Sequence, residues 1–254
     1  MNEYPDMSTL FVAWQAPGPS RAWFPIGRLD ASVEHHDYVF QYTRGALQAQ
    51  ERAGFSPLLA FPEFERRYEA SELFPLFKNR ILEPNRKDFA EYLGWLDLDP
   101  AHADPIEILS LTGGERQTDS LEVFPQIRKM ADGTVTFRFF LHGLRHVLPA
   151  AQARANALEE GDTLQVAIEV NNPATGYAVQ LQTRDGHLLG WAPRYLVSDL
   201  RAALLEHATI TATVRRINRM GAPFARRVLV ELQGGVPANF EPMTSEEYRV
   251  LAAA

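Results

Sequence analysis

The chain has 254 residues, 46% of them apolar, with 25 Lys and Arg against 32 Asp and Glu and no cysteine. The missing cysteines exclude disulfides and thiolate zinc sites, and a net charge of −7 argues against a protein that coats nucleic acid indiscriminately. No stretch approaches the ~18 uninterrupted apolar residues of a membrane span, and Met1–Asp6 is acidic with no apolar signal core. A soluble cytoplasmic protein without a membrane partner is expected.

Length and a break in pattern near residue 130 point to two domains, 1–130 and 131–236, with a tail at 237–254. Thr9–Trp14 and Ala22–Leu29 read as strands bracketing a Pro17-Gly18-Pro19 turn, and Asp37–Tyr42 alternates as a third. Leu73–Arg80 leads to Glu83-Pro84-Asn85, a helix-starting signature with Asn85 as cap candidate, and Arg86–Trp95 follows as a helix. A second helix starts at Asp104-Pro105, a cap followed by a first-turn proline, and closes at Gly113-Gly114. Leu121–Phe124 returns as a strand.

In the second domain a short helix ends in Glu159-Glu160-Gly161. Thr163–Val170 alternates polar and apolar residues and stops at Asn171-Asn172-Pro173, where proline has no amide to continue a ladder. Tyr177–Thr183 alternates likewise, Arg184-Asp185-Gly186-His187 is a hairpin corner, and Leu188–Trp191 returns. Arg194–Leu205 carries Leu196, Val197, Leu200, Leu204 and Leu205 at helical spacing. Two β-rich runs, Thr209–Asn218 and Phe224–Gln233, are joined by Met220-Gly221-Ala222-Pro223, so five or six short strands over 134–234 are expected to close a compact antiparallel barrel. The fold class is α+β, a β-meander with helices followed by a small barrel with one main helix. The tail from Thr244 to Leu251 has a Ser/Thr cap and an acidic first turn, which predicts a short helix.

The charge is unevenly spread. Residues 1–136 carry 13 Lys and Arg against 21 Asp and Glu, whereas 137–234 carry 11 against 8. Binding of unpaired nucleotides needs a cationic track and flat side chains, each stacked base contributing about 1–3 kcal/mol. Arg145, Arg194, Arg215, Arg216, Arg219, Arg226 and Arg227 supply the charge, and His146, Trp191, Tyr195 and Phe224 the flat groups. Two other roles stay open: Trp191 as filling of a barrel interior, and Arg215-Arg216 as a solvated strand face.

Catalytic and metal signals are weak. Gly113-Gly114 lacks the following Gly-Lys-Ser/Thr of a phosphate loop and reads as a helix-ending turn. His35-His36-Asp37 reads as a solvated loop, and Asp97, Asp99 and Asp104 beside His102 match no calcium-loop spacing. Ser56 lacks the second glycine of a nucleophile elbow. No cofactor, no metal and no enzyme activity are expected.

The HGLRHV motif at 142–147, the Gly161-Asp162 turn, the Asn172-Pro173 turn and Gly186-His187-Leu188-Leu189-Gly190-Trp191-Ala192-Pro193-Arg194 together resemble the HIRAN domain. That resemblance implies an OB-related barrel that binds single-stranded DNA, with Arg145, His146, Trp191 and Arg194 at the nucleotide; Tyr195, Arg216 and Arg219 complete the candidate site. Where end-binding members carry Tyr-Asp after Asn-Pro, this chain has Ala174-Thr175, which leaves recognition of a 3′ end open. Residues 20–126 resemble the N-terminal subdomain of HipA-type proteins through Ile26-Gly27-Arg28-Leu29, Phe74–Pro84, Phe89–Gly94 and the run Gly113–Val123, which includes Gln117. The kinase part of that family is missing, so the resemblance implies docking of a partner such as a HipA-like kinase or a DNA-processing enzyme. Two functions result: a non-catalytic protein whose barrel holds single-stranded or irregular DNA, and an antitoxin-type or scaffold protein that binds other proteins and no nucleic acid.

Overall fold

A computed structural model describes residues 7–251 apart from 19, 20, 117, 174, 207 and 220. Expectations placed on Met1–Asp6, Pro19, Gln117, Ala174 and Met220 therefore lie outside the described residues. The chain divides into two units, Met1–Phe89 with Ala103–Gln126 and Met243–Ala254, and Ala90–His102 with Ile127–Pro242. The contiguous segments drawn from sequence are thus interleaved, with 90–102 belonging to the second unit and the tail from Met243 to the first.

The first unit holds β1 (Ser8–Gln15), β2 (Trp23–Ser32), β3 (Asp37–Tyr42), α1 (Arg44–Ala53), β4 (Tyr68–Ala70) and α2 (Pro75–Lys78). After α3 (Phe89–Trp95), which leads into the second unit, the chain returns with α4 (Pro105–Thr112) and β5 (Leu121–Pro125). Its antiparallel sheet runs β4-β3-β2-β1-β5. Helix α1 has no apolar stripe to announce it, because it packs through the small residues Gly45, Ala46 and Ala49. A Cβ on Gly45 would stand 2.1 Å from the Pro25 carbonyl oxygen, so only glycine lets the helix come this close to β2.

The sheet's inner face is aromatic. Phe40 stacks on Phe61 at 3.9 Å, and Tyr42 Oη donates to the Phe61 carbonyl while accepting from the Leu58 amide, both at 2.7 Å. Burial pushes the Tyr42 hydroxyl up to about 12, which keeps it protonated as the donor. Helix α4 begins as its sequence dictates: Asp104 Oδ1 accepts from the Ile106 amide at 2.7 Å, Pro105 fills the first turn, and Gly113 closes it at φ 71°.

The tail forms one 3-10 turn, Glu246–Tyr248, in place of the expected helix, and Ser245 makes no side-chain cap. The chain then straightens so that Val250 can bridge to Thr43, and Tyr248 meets Phe11 edge-on at 4.8 Å. Pairing with an existing sheet satisfies more backbone groups than a lone helical turn does.

The second unit contains β6 (Thr134–Phe140), α5 (Pro149–Asn156), β7 (Thr163–Asn172), β8 (Gly176–Gln182), β9 (Leu188–Trp191), α6 (Arg194–Leu205), β10 (Thr209–Ile217) and β11 (Val228–Gly235). Its antiparallel sheet runs β6-β11-β10-β7-β8-β9. The expected barrel does not close as a ladder. Among the described residues its edges meet at one bridge, His142 with Trp191, where each amide donates to the other's carbonyl at 2.9 Å. Gly143 at φ 78° then turns the chain away, which ends the seam after one residue pair. Helix α6 lays Leu196, Leu200 and Ala203 against the inner face of β8, where Val179 and Leu181 are fully buried.

Candidate nucleic-acid interface

The seam between β6 and β9 sets the position of Trp191. Alternation along β7 and β8 puts Val179 and Leu181 inside and leaves Glu169, Gln180 and Gln182 on the outer face; Gln180 pairs directly with Trp191, so the indole lies on that outer face too. The ring is half-buried, and it rests on Gly143, whose added Cβ would stand 2.6 Å from its Cε3 atom. Its edge is anchored as well: Nε1 reaches across β8 to donate to Glu169 Oε2 at 2.6 Å, passing a strand that carries only Ala178 opposite Glu169. The ring stays partly accessible while its edge is fixed, as a stacking platform requires.

The 3-10 turn Leu144–His146 follows directly, with Leu144 buried and Arg145 and His146 exposed. Arg145 Nε donates to His146 Nε2 at 2.9 Å. A second 3-10 turn, Phe224–Arg226, lies against the first. It brings Phe224, 48% exposed, with the Arg227 guanidinium over its ring at 5.2 Å, and Arg226 over Phe140 at 5.0 Å. Trp191, the Arg145–His146 pair and the Phe224–Arg227 stack thus form one strip of rings and guanidinium groups.

The other candidates fall elsewhere. Tyr195 is 7% exposed and cannot serve as a platform, because helical periodicity places it with Leu196, Leu200 and Ala203 on the packed face of α6. Arg194, half-buried at the start of α6, has interactions of its own, and Arg219 is exposed beyond β10. Arg216 is engaged by acids. A β-bulge between Val214 and Arg216 puts two successive residues opposite one partner, so Arg215 and Arg216 both reach Asp97, at 3.8 and 3.7 Å. Arg138 joins the cluster at 3.7 Å from Asp97 and 3.0 Å from Glu231, and Arg216 also approaches Glu160 at 3.9 Å. The arginine pair on β10 is therefore a neutralised structural network rather than part of the strip.

Asp97 faces these arginines and not Asp99, which instead pairs with His102 at 2.9 Å on the surface. Among the described residues no group of three metal-ligating side chains gathers, and no helix is long and apolar enough to cross a membrane. A shallow cavity of about 510 Å³ in the first unit is lined by Leu47, Glu63, Phe64, Glu65, Arg66 and Leu251.

Glu169 is not legible in the sequence as a site residue, since one acidic residue in an alternating strand reads as a solvated position. Burial pushes its carboxyl up, but hydrogen bonds from Trp191, Gln180 and Asn172 together outweigh that and hold its pKa below the usual value. Because the folded value is depressed, the stability Glu169 contributes is present above the ordinary Glu value of about 4.3 and is lost as pH falls through the lower folded value. Urea unfolding should therefore show wild type and Glu169→Gln converging as pH drops below about 4.

Comparison with known proteins adds little that decides function. No family model matches the chain, and no curated protein does. A crystal structure of a Lactobacillus plantarum protein is 15% identical, covering 41% of this chain and 100% of that one at a TM-score of 0.32. The crystal structure of the HIRAN domain of human HLTF is 17% identical, covering 47% of this chain and 93% of that domain at a TM-score of 0.33. At such scores neither likeness bears on what the strip binds.

Proposed function

We propose that the second unit binds single-stranded or irregular DNA through Trp191, Arg145 and His146, and that the first unit docks a protein partner, neither unit carrying out catalysis. The observation that supports this reading best is the partly buried Trp191 indole, held from below by Gly143 and at its edge by Glu169, beside the exposed Arg145–His146 pair. A ring already fixed in place loses little freedom when a base stacks on it, and the adjacent Arg145 guanidinium can follow the phosphates. The rim adds Phe224 with Arg226 and Arg227, on the half of the chain whose balance is basic. With few phosphate contacts, affinity is modest and strongly salt-dependent.

The test is a titration of a labelled single-stranded oligonucleotide at about 50 mM salt. Trp191→Ala is expected to weaken binding by about 5- to 150-fold, the loss of one stacked base. Arg145→Ala should flatten the salt slope by about 0.7, the loss of one single-strand phosphate contact. Wild-type protein that binds nothing under these conditions contradicts the reading.

A second reading, a scaffold for a HipA-like kinase or another protein without nucleic-acid binding, is favoured by one feature. Val170, 62% exposed, pairs directly with Tyr177, 43% exposed, and Arg201 lies over the Tyr177 ring at 4.3 Å, one helical turn from Leu205, 61% exposed. Patches of this kind mark protein contacts more often than nucleotide contacts. Association with a kinase in the absence of DNA, disrupted by Tyr177→Glu and unaffected by Trp191→Ala, would favour it.

A further inference from the structure

The outer face that holds Trp191 also holds a means of choosing among bases. Glu169 is half-buried there, with donors on three sides. Trp191 Nε1 lies 2.6 Å and Asn172 Nδ2 3.1 Å from its Oε2 atom. The Asn172 amide is oriented by its own oxygen, which accepts from the Thr175 amide at 3.1 Å and hydroxyl at 3.0 Å. Gln180 is oriented in the same way: its Oε1 accepts from Gln182 Nε2 at 2.8 Å, which leaves its NH2 group to donate to Glu169. An ionised carboxylate offers about four lone-pair sites, so three donors leave one open acceptor position on an accessible surface. A phosphate is repelled from that position and a hydrogen-bond donor is attracted to it.

Building on the interface described above, we propose that Glu169 reads the base, accepting a hydrogen bond from an exocyclic amino group such as cytosine N4 and rejecting uracil and thymine, whose O4 would face the carboxylate. The same charge sets the orientation of the strand. Phosphates follow Arg145, His146 and Arg226, and base edges turn towards Glu169 and Gln180. An acidic residue in the middle of a nucleic-acid interface is thereby accounted for, since aspartate and glutamate accept from cytosine N4 in base readout.

Oligonucleotides of about twelve deoxycytidines or deoxyuridines separate the effects, because both are pyrimidines on one backbone and differ at the edge that Glu169 would read. Wild-type protein is expected to bind the deoxycytidine strand about tenfold more tightly, the worth of one hydrogen bond to a charged group. Glu169→Gln can keep its oxygen on Trp191 and Asn172 only by turning its NH2 group to the remaining side, where it donates to uracil O4 and no longer accepts from cytosine N4, so it should narrow the ratio to less than about threefold. Equal binding of both strands by wild type, or an unchanged ratio in Glu169→Gln, overturns base reading while leaving the interface in place. Failure to bind either strand overturns the interface and this inference together.

Discussion

Arg80→Ala is expected to destabilise the first unit by about 2–5 kcal/mol, the cost of leaving the Leu76 and Gly114 carbonyls without their donor and Asp119 without its ion pair. The Arg80 side chain is 1% exposed, and four of its five N–H groups find carbonyl or carboxylate acceptors. Its Nε donates to the Leu76 carbonyl at 3.0 Å and Nη1 to the Gly114 carbonyl at 2.8 Å, while Nη1 and Nη2 fork onto the two Asp119 oxygens at 3.2 and 2.5 Å. One guanidinium thus ties α2, the turn after α4 and the approach to β5 together. Alanine removes the fork and strands Asp119 and two carbonyls. Lysine should rescue little, because a single ammonium cannot match the bidentate geometry. Urea midpoints measured on the full chain check this; an Arg80→Lys protein as stable as wild type would show that charge alone suffices. In the sequence the segment Phe74–Pro84 that carries Arg80 counts only as part of the HipA-type resemblance, whereas the structure gives Arg80 this local task.

Gly190→Ala is the second substitution with a large expected effect, and it links stability to binding. A Cβ at Gly190 would stand 2.3 Å from the His142 carbonyl oxygen, the atom that accepts from the Trp191 amide across the seam. Overpacking of this kind costs about 1–3 kcal/mol, and opening the bridge adds the loss of two backbone hydrogen bonds at about 1 kcal/mol each. Trp191 would leave its seat on Gly143, so oligonucleotide affinity should fall as far as in Trp191→Ala. Gly143→Ala reaches the same end from below, through a φ of 78° and a Cβ 2.6 Å from the indole. Thermal unfolding together with the same titration checks both; a Gly190→Ala protein that binds normally would show that the seam does not position the ring.

Much of the scaffold is legible because its signals are local. Asp104-Pro105 and Gly113 mark both ends of α4, Asp185-Gly186 turns β8 into β9, and the spacing of Leu196 and Leu200 defines α6, whose observed span is Arg194–Leu205. What sequence does not carry is assembly. Whether β6 and β9 zip into a barrel or touch at one bridge depends on pairing between residues some fifty positions apart, and His142 gives no local sign of its partner. The same holds for the site. Arg145, His146 and Trp191 are recognisable as residue types, but Tyr195, a groove candidate by its ring, is turned inward by its helix. Arg216 belongs to the Asp97 network because a bulge, invisible in sequence, swings both arginines to one side. Glu169 escapes notice because its importance comes from donors supplied by β8, β9 and the end of its own strand.

In the proposed function, unpaired nucleotides stack on Trp191 beside the Arg145–His146 pair. Indole N–H resonances report on it directly, since the chain has 4 Trp and a Trp191→Phe variant assigns the one at the site. On addition of single-stranded DNA at low salt, the Trp191 indole signal should move in step with the imidazole signals of His146, while those of Trp14, Trp23 and Trp95 stay in place. Unchanged Trp191 and His146 signals under saturating DNA, or shifts confined to the Tyr177–Arg201 surface, would contradict the account.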